Sequence, residues 1–147
     1  MAMSGDAGFL IDTNVISEAT RAKPDMNVLT WLATADEDRL FLSVATIAEL
    51  SYGIDGMPTG AKQKRLHDWL HDELMSRFDQ RILSADAPLS LRWGSVVRRS
   101  KRAGRQIEAM DALIAATAEH HNLTLVTRNT ADFAAQPLSL FDPWLPP

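Results

Sequence analysis

The stretch Phe9-Leu10-Ile11-Asp12-Thr13-Asn14 contains the pattern from which the fold is predicted. Its three apolar residues indicate a short strand that is buried on both faces, and the apolar run ends at an acid. Similar short apolar runs follow at residues 40–42, 82–83, 123–127 and 139–141. We therefore predict five short strands.

Segments with apolar residues three and four positions apart separate these strands and predict helices. The predicted helices cover residues 25–32, 46–52, 62–78, 88–101 and 109–120. Asp25 is expected to start the first helix, and Gly53 or Gly56 to end the second. Gly104 lies past the fourth helix, and Asn122 is predicted as a left-handed cap after the fifth. This alternation predicts an α/β fold, with a short parallel sheet of about five strands covered by helices on both faces.

Size and composition limit the possible classes of protein. At 147 residues the chain has room for one domain, which we place at residues 9–144. Residues 1–8 are predicted to be an N-terminal extension, partly derived from cloning because Met3 is a second methionine. The absence of cysteine excludes disulfides and thiolate metal sites and fits a cytoplasmic location. No apolar run approaches the roughly 18 residues that a membrane span needs, so no membrane partner is expected.

The basic residues are unevenly distributed, although the net charge is −4. Six of the 15 lysines and arginines fall in one short stretch, namely Arg92, Arg98, Arg99, Lys101, Arg102 and Arg105. One interpretation is a track for RNA phosphates, for which Arg98, Arg102 and Arg105 are the candidates. The other is a solvated helix face.

Four acids adjoin the predicted strands or helix starts. Asp12 follows the first strand, Glu49 lies in the helix after the second, Asp111 opens the helix before the fourth, and Asp132 follows the fourth. Ligand sites in parallel sheets lie beyond the carboxyl ends of the strands. A carboxylate left unpaired beside apolar segments is costly, so these positions need an explanation.

Each acid also has a structural interpretation. Asp12 could cap a helix, and Glu49 could form a capping box with Thr46. Asp111 could stabilise a helix amino terminus, and Asp132 could cap a turn. Taken together, however, converging carboxylates repel each other unless a hard cation such as Mg²⁺ or Mn²⁺ joins them. Such a site can support in-line displacement at a phosphodiester.

At this level of detail the chain resembles the PIN-domain family, in particular its VapC-type and FitB-like toxins from bacterial toxin–antitoxin pairs. The segments that carry the resemblance are Leu10-Ile11-Asp12-Thr13-Asn14-Val15-Ile16-Ser17-Glu18, Ala48-Glu49-Leu50, Asp111-Ala112-Leu113-Ile114-Ala115-Ala116-Thr117-Ala118, Thr127-Arg128-Asn129-Thr130-Ala131-Asp132-Phe133 and Phe141-Asp142-Pro143-Trp144. They occur in the order of the family and extend over nearly the whole chain.

The resemblance implies an endoribonuclease that depends on Mg²⁺ or Mn²⁺, with Asp12, Glu49 and Asp111 as metal ligands and catalytic residues. Some relatives carry the fourth acid where this chain has Asn129, and others carry it three residues later. We therefore expect Asp132 to be the fourth catalytic and metal-binding acid.

Four polar residues are expected to support these acids. Thr13 and Asn14 are expected to contribute a hydroxyl and backbone amides beside the metal, with Thr127 and Asn129 as further polar neighbours.

The resemblance also implies three partners, namely an RNA substrate, a cognate antitoxin protein and a second copy of the chain. Apolar surface around Trp31 and Trp69 is the candidate dimer contact. The alternative is a PIN-fold binding module that acts mainly as the antitoxin's partner in a DNA-binding repressor complex. Loss of RNA cleavage in EDTA separates the two functions.

Overall fold

A computed structural model describes residues 7–147. Its strands are β1 (Phe9–Ile11), β2 (Leu40–Ser43), β3 (Ile82–Leu83), β4 (Thr124–Val126) and β5 (Leu140–Phe141). Its helices are α1 (Thr13–Glu18), α2 (Met26–Thr34), α3 (Val44–Asp55), α4 (Ala61–Asp68), α5 (Met75–Arg77), α6 (Ala87–Arg102) and α7 (Ala109–His120). A π-helical segment, Trp69–Leu74, joins α4 to α5, and short 3₁₀ turns occupy Glu37–Arg39 and Thr130–Phe133. The predicted extension at residues 1–8 lies mostly outside the described residues.

The strands form one parallel sheet in the order β3-β2-β1-β4-β5. Leu10 in the central strand lies opposite Phe41 on one side and Leu125 on the other. Because β1 is paired on both sides, its side chains point into the two layers that cover the sheet. The predicted five-stranded parallel sheet is confirmed.

Two apolar cores lie on opposite faces of this sheet, because successive residues of a strand point to opposite sides. Leu10 packs with residues of α6 and α7, whereas Ile11 packs with residues of α1, α2 and the α4–α5 region. The predicted cover of helices on both faces is thus confirmed. No helix within residues 7–147 has both the length and the apolar character needed to cross a membrane.

Local hydrogen bonds determine where the helices start and stop. The Asp25 carboxylate accepts the N–H groups of Asn27 and Val28 at 2.8 and 3.2 Å, so it caps α2 as predicted. Helix α3 continues through Gly53 and ends at Gly56. Asn122 has a φ of 55°, which confirms the left-handed cap after α7.

The carboxyl end of α6 has the hydrogen bonds of a Schellman motif. Gly104 has a φ of 75°, as expected for a residue just past the end of a helix. The Gly104 N–H donates to the Lys101 carbonyl at 3.0 Å, and the Arg105 N–H donates to the Ser100 carbonyl at 2.9 Å. This turn sets the direction in which the chain carries Arg105 away from α6.

Helix α1 was not predicted from the sequence. Val15 and Ile16 are buried against the sheet, so tertiary packing stabilises this six-residue helix. Glu18 at its end is 6% exposed, and its carboxylate accepts the Asp25 N–H at 2.8 Å. This bond joins α1 to the start of α2.

Candidate active site

The acidic site lies at the carboxyl edge of the sheet. Asp12 follows β1 directly, while Glu49 and Asp111 come from α3 and from the first turn of α7. One carboxylate oxygen from each of these three residues lies within 4.8 Å of the others. Within residues 7–147, these three acids form a group whose spacing fits a metal site.

Asp12 is the most deeply buried of the three, with 4% of its surface exposed. Its Oδ1 accepts the Thr13 N–H at 2.7 Å, and its Oδ2 accepts the Thr127 hydroxyl at 2.7 Å. Burial raises the pKa of Asp12, and the charge of Glu49 adds to this effect, while the two hydrogen bonds oppose it. Asp12 therefore caps α1 and also belongs to the acidic group, so the helix-cap interpretation and a place in the acidic group do not exclude each other.

Glu49 lies inside α3 with its carboxylate directed to the first helix. Its Oε1 accepts the Thr13 hydroxyl at 2.6 Å, and that hydroxyl also lies 3.1 Å from the Thr46 hydroxyl. The capping-box interpretation is wrong, because Ser43 caps α3 through the Ala45 N–H at 3.0 Å. Since the helix starts at Val44, Thr46 is an interior residue and its hydroxyl faces Thr13.

Asp111 is the third residue of α7 and is half-buried. Its carboxylate accepts no hydrogen bond from any residue in the described range 7–147. The pKa of Asp111 is raised to about 6, first by burial and then by the charges of Asp12 and Glu49. A bound proton or a cation would relieve the repulsion between this carboxylate and its acidic neighbours.

Asp132 lies in the 3₁₀ turn that follows β4 and is not part of the three-carboxylate group. Its Oδ1 is 3.5 Å from Arg105 Nη1, and both side chains are about half exposed. Its charge nevertheless contributes to the raised pKa values of Asp12 and Asp111. The structure therefore places the predicted fourth acid at the rim of the site, and its role as a ligand stays a prediction.

The predicted polar residues surround Asp12. Asn14 Nδ2 lies 3.4 Å from Asp12 Oδ2 and 3.4 Å from the Thr127 hydroxyl. The Asn129 N–H donates to the same hydroxyl at 3.0 Å, so Thr127 is held from both sides. This network fixes the rotamer of the buried Asp12.

The four arginines of the basic stretch that lie on α6 divide into two groups. Arg92 and Arg99 both form ion pairs with Glu119, so they attach α6 to α7. Arg98 and Arg102 are exposed and form no ion pair with any residue in the part of the chain that the structure describes. The structural interpretation thus applies to Arg92 and Arg99, while Arg98 and Arg102 remain available to a ligand.

The donor chemistry of the acidic group fits a hard divalent cation. All three side chains supply carboxylate oxygens, which Mg²⁺ and Mn²⁺ prefer. A cation would also relieve the repulsion that raises the pKa of Asp111. These residues can therefore hold such an ion with positions left for a phosphate.

Sequence reasoning missed one charged residue at this edge. The guanidinium of Arg128 lies over the ring of Trp144, 4.9 Å from its centroid. Both residues are in segments that carry the family resemblance, which is the signal that could have drawn attention to them. No periodicity connects them, because they follow different strands.

Known proteins match the chain over nearly its full length. Residues 9–136 match the PIN domain family. Toxin FitB of Neisseria gonorrhoeae is 38% identical over 135 residues, which are 92% of this chain and 97% of the toxin. VapC ribonuclease Y4jK of Sinorhizobium fredii is 36% identical over 137 residues, which are 93% and 98% of the two chains.

A solved structure described as FitAB bound to an IR36 DNA fragment contains a chain with a similar fold. It superimposes with a TM-score of 0.89 at 35% identity, over 95% of this chain and 97% of that one. The family match, the five-stranded parallel sheet and the three clustered acids agree with one another. The chain is thus a member of the PIN-domain family.

Proposed function

We propose that this protein is an endoribonuclease that depends on Mg²⁺ or Mn²⁺ and is the toxin of a toxin–antitoxin pair. The observation that carries the proposal is the group Asp12, Glu49 and Asp111, whose carboxylate oxygens lie within 4.8 Å of one another. The related proteins named toxin FitB and VapC ribonuclease support the same activity.

The three carboxylates would hold the cation, and their neighbours orient them. The Thr127 hydroxyl orients Asp12, and the Thr13 hydroxyl orients Glu49. When bound, a divalent cation neutralises phosphate charge and activates water for attack on the phosphodiester. Asp132 is the fourth acid of this site and approaches it from the rim.

The substrate is single-stranded or looped RNA, because unstacked nucleotides can bring a phosphodiester to the clustered carboxylates at the edge of the sheet. The protein partner is a cognate antitoxin, as the related FitAB complex suggests. The cytoplasmic location expected from the lack of cysteine belongs to the same proposal.

The second candidate function is that of a binding module, which works through an antitoxin on DNA. The observation in its favour is that a related FitAB structure is bound to DNA. The relatives named ribonucleases favour the enzyme. The two functions are compatible within one complex, and only the enzyme needs the carboxylate cluster.

The test is RNA cleavage by antitoxin-free protein in Mg²⁺, in Mn²⁺ and in EDTA. We expect cleavage with either cation, loss of cleavage in EDTA, and loss of cleavage in Asp111→Asn. Asp79→Asn is the matched control, because Asp79 is exposed and lies in the turn after α5, outside the acidic group. A folded protein that cleaves no RNA with either cation would leave the binding module as the function.

A further inference from the structure

Arg128 comes directly after the residue that orients Asp12. Thr127 directly follows β4, and its hydroxyl donates to Asp12 Oδ2 at 2.7 Å. The Arg128 N–H donates to Asn14 Oδ1 at 3.4 Å, and Asn14 also contacts Asp12. The backbone of Arg128 is therefore part of the network that holds the acidic site.

The guanidinium of Arg128 is held in place without being neutralised. It lies 4.9 Å from the centroid of the Trp144 ring, which is a favourable cation–π distance. Arg128 is exposed and pairs with no carboxylate within residues 7–147. Stacking engages the face of a guanidinium, whereas its N–H donors lie in its plane and remain available.

Trp144 is itself anchored at the same edge of the sheet. Strand β5 runs parallel to β4, so the residues that follow it lie beyond the carboxyl ends of the strands, as Asp12 does. The Trp144 N–H donates to Asp142 Oδ1 at 2.9 Å, and its carbonyl accepts Asn27 Nδ2 at 2.9 Å. Its ring packs against the core on the α1–α2 face.

A second arginine at the rim differs in one respect. Arg105 is 3.5 Å from Asp132, so part of its charge is already compensated by an acid of the protein. An RNA strand that approaches three clustered carboxylates needs a nearby cation whose charge is not compensated. Arg128 meets this condition better than Arg105, because its backbone joins the network around Asp12 and its side chain pairs with no carboxylate within residues 7–147.

We propose that Arg128 binds an RNA phosphate next to the scissile one, and that Trp144 is the positioning residue that holds its guanidinium. This inference rests on the proposed function, because it takes RNA as the substrate of the acidic site. The proposed RNA contacts then follow the carboxyl edge of the sheet, from Asp12 after β1 to Arg128 after β4, with Trp144 after β5 in support. The Phe141-Asp142-Pro143-Trp144 segment thereby acquires a role in binding.

The test measures RNA binding without cleavage. Fluorescence anisotropy of a short fluorescein-labelled oligouridylate is recorded in EDTA at several salt concentrations, starting at low salt. For Arg128→Gln we expect weaker binding and a slope of log affinity against log salt that is smaller by about 0.7, the value for one phosphate neutralised on a single strand. Arg65→Gln, on the exposed surface of α4, is the matched control and should keep the parent slope.

Variants of Trp144 separate positioning from folding. Trp144→Phe keeps an aromatic face and should keep the parent slope, whereas Trp144→Leu keeps apolar volume without that face and should lower it. A purely structural role would reduce the fraction of active protein and leave the slope unchanged. Arg128→Lys keeps the charge without the planar donors and should bind with intermediate affinity.

The proposal would be overturned if Arg128→Gln kept the salt slope of the parent protein, or if Trp144→Leu and Trp144→Phe had equal slopes. It would also be overturned if the parent protein bound no RNA at low salt. Because the assay contains no divalent cation, it does not depend on nuclease activity. A changed slope in a protein that fails to cleave RNA would reject the nuclease and keep the phosphate site.

Discussion

Asp111 and Asp12 lie in different surroundings, so the same substitution should affect them differently. Asp111 accepts no hydrogen bond within residues 7–147, and burial and neighbouring acids raise its pKa to about 6. Asp111→Asn removes a like charge at nearly constant volume. We expect the metal-free protein to keep or gain stability, while cleavage and the rise in Tm caused by Mn²⁺ disappear.

Asp12→Asn should abolish cleavage as well, but at a cost in stability. Asp12 is 4% exposed and accepts bonds from the Thr13 N–H and the Thr127 hydroxyl. An amide replaces one of these two acceptor oxygens with a donor, which costs roughly 1–3 kcal/mol for a buried group. Urea unfolding in EDTA measures the free energy of unfolding of both variants and of the parent protein. Equal losses of stability would contradict the assigned surroundings, and cleavage by either folded variant would exclude that acid from the site.

The raised pKa of Asp111 predicts a pH dependence with a definite sign. The folded protein holds this proton up to about pH 6, whereas the unfolded chain releases it near the ordinary value of 3.8. Ionised Asp111 therefore lowers the free energy of unfolding by its full amount above about pH 6 and not at all below pH 3.8. The contribution of Asp111 to the stability of the metal-free protein should thus become more favourable as the pH falls through this range. The comparison is the difference in Tm between the parent and Asp111→Asn from neutral to acidic pH. A difference that does not vary with pH would contradict it.

At the scale of single elements, Gly94 inside α6 and Gly104 in the turn after it should respond to alanine substitution with opposite signs. Gly104 has a φ of 75°, so Gly104→Ala forces a left-handed alanine and should cost about 1–2 kcal/mol. Gly94 lies inside α6 with open space around it, so Gly94→Ala should gain about 0.5–1 kcal/mol. Chemical unfolding of the two variants measures both values. Destabilisation by Gly94→Ala would show that another group occupies that face.

The exposed arginines of α6 and its C-terminal turn should act on RNA binding rather than on folding. Neutralising Arg98, Arg102 and Arg105 together should lower the salt slope by about 0.7 for each of them that binds a phosphate. Arg99→Gln is the contrasting variant, because Arg99 bonds Gln136 and Glu119 inside the structure. It should lower the Tm and leave the slope unchanged. If the triple variant keeps the parent slope, this face is merely solvated.

Elements with strong periodicity could be predicted from the sequence, and those held by tertiary contacts could not. Helix α7 begins and ends where its apolar pattern predicts, at residues 109 and 120. Helix α1 contains β-branched Thr13, Val15 and Ile16, whose intrinsic helix propensity is low. Its packing against the sheet overrides that preference. The start of α3 was placed late for a related reason, since its cap Ser43 lies within the buried β2.

At the scale of the whole molecule, the resemblance predicts a homodimer. Trp31 and Trp69, the expected contact residues, are partly buried and pack against the protein's own core. The large apolar side chains that are exposed include Tyr52 at 85% and Leu91 at 81%. Light scattering at high micromolar concentration should give twice the chain mass. Tyr52→Ser and Leu91→Ser locate the contact if either shifts the mass towards the monomer, and a parent protein of single-chain mass would exclude the dimer.

The location of the acidic site could be predicted, although the contacts inside it could not. Short apolar strands imply a parallel sheet, and that sheet directs attention to the acids at its carboxyl edge. The sequence contains no information on which oxygen meets which hydroxyl. Thr13 to Glu49 and Arg128 to Trp144 are contacts between separate elements, and only the assembled packing determines them.

The bond from the Thr127 hydroxyl to Asp12 joins residues 115 positions apart, and this separation matters while the chain is being synthesised. During translation Asp12 and Glu49 emerge early, whereas Asp111 and Thr127 belong to the last quarter of the chain. An unfinished chain thus contains only part of the proposed catalytic group, and its central sheet lacks β4. If the proposed catalytic group is correct, we expect nuclease activity to arise only after synthesis of each copy is nearly complete.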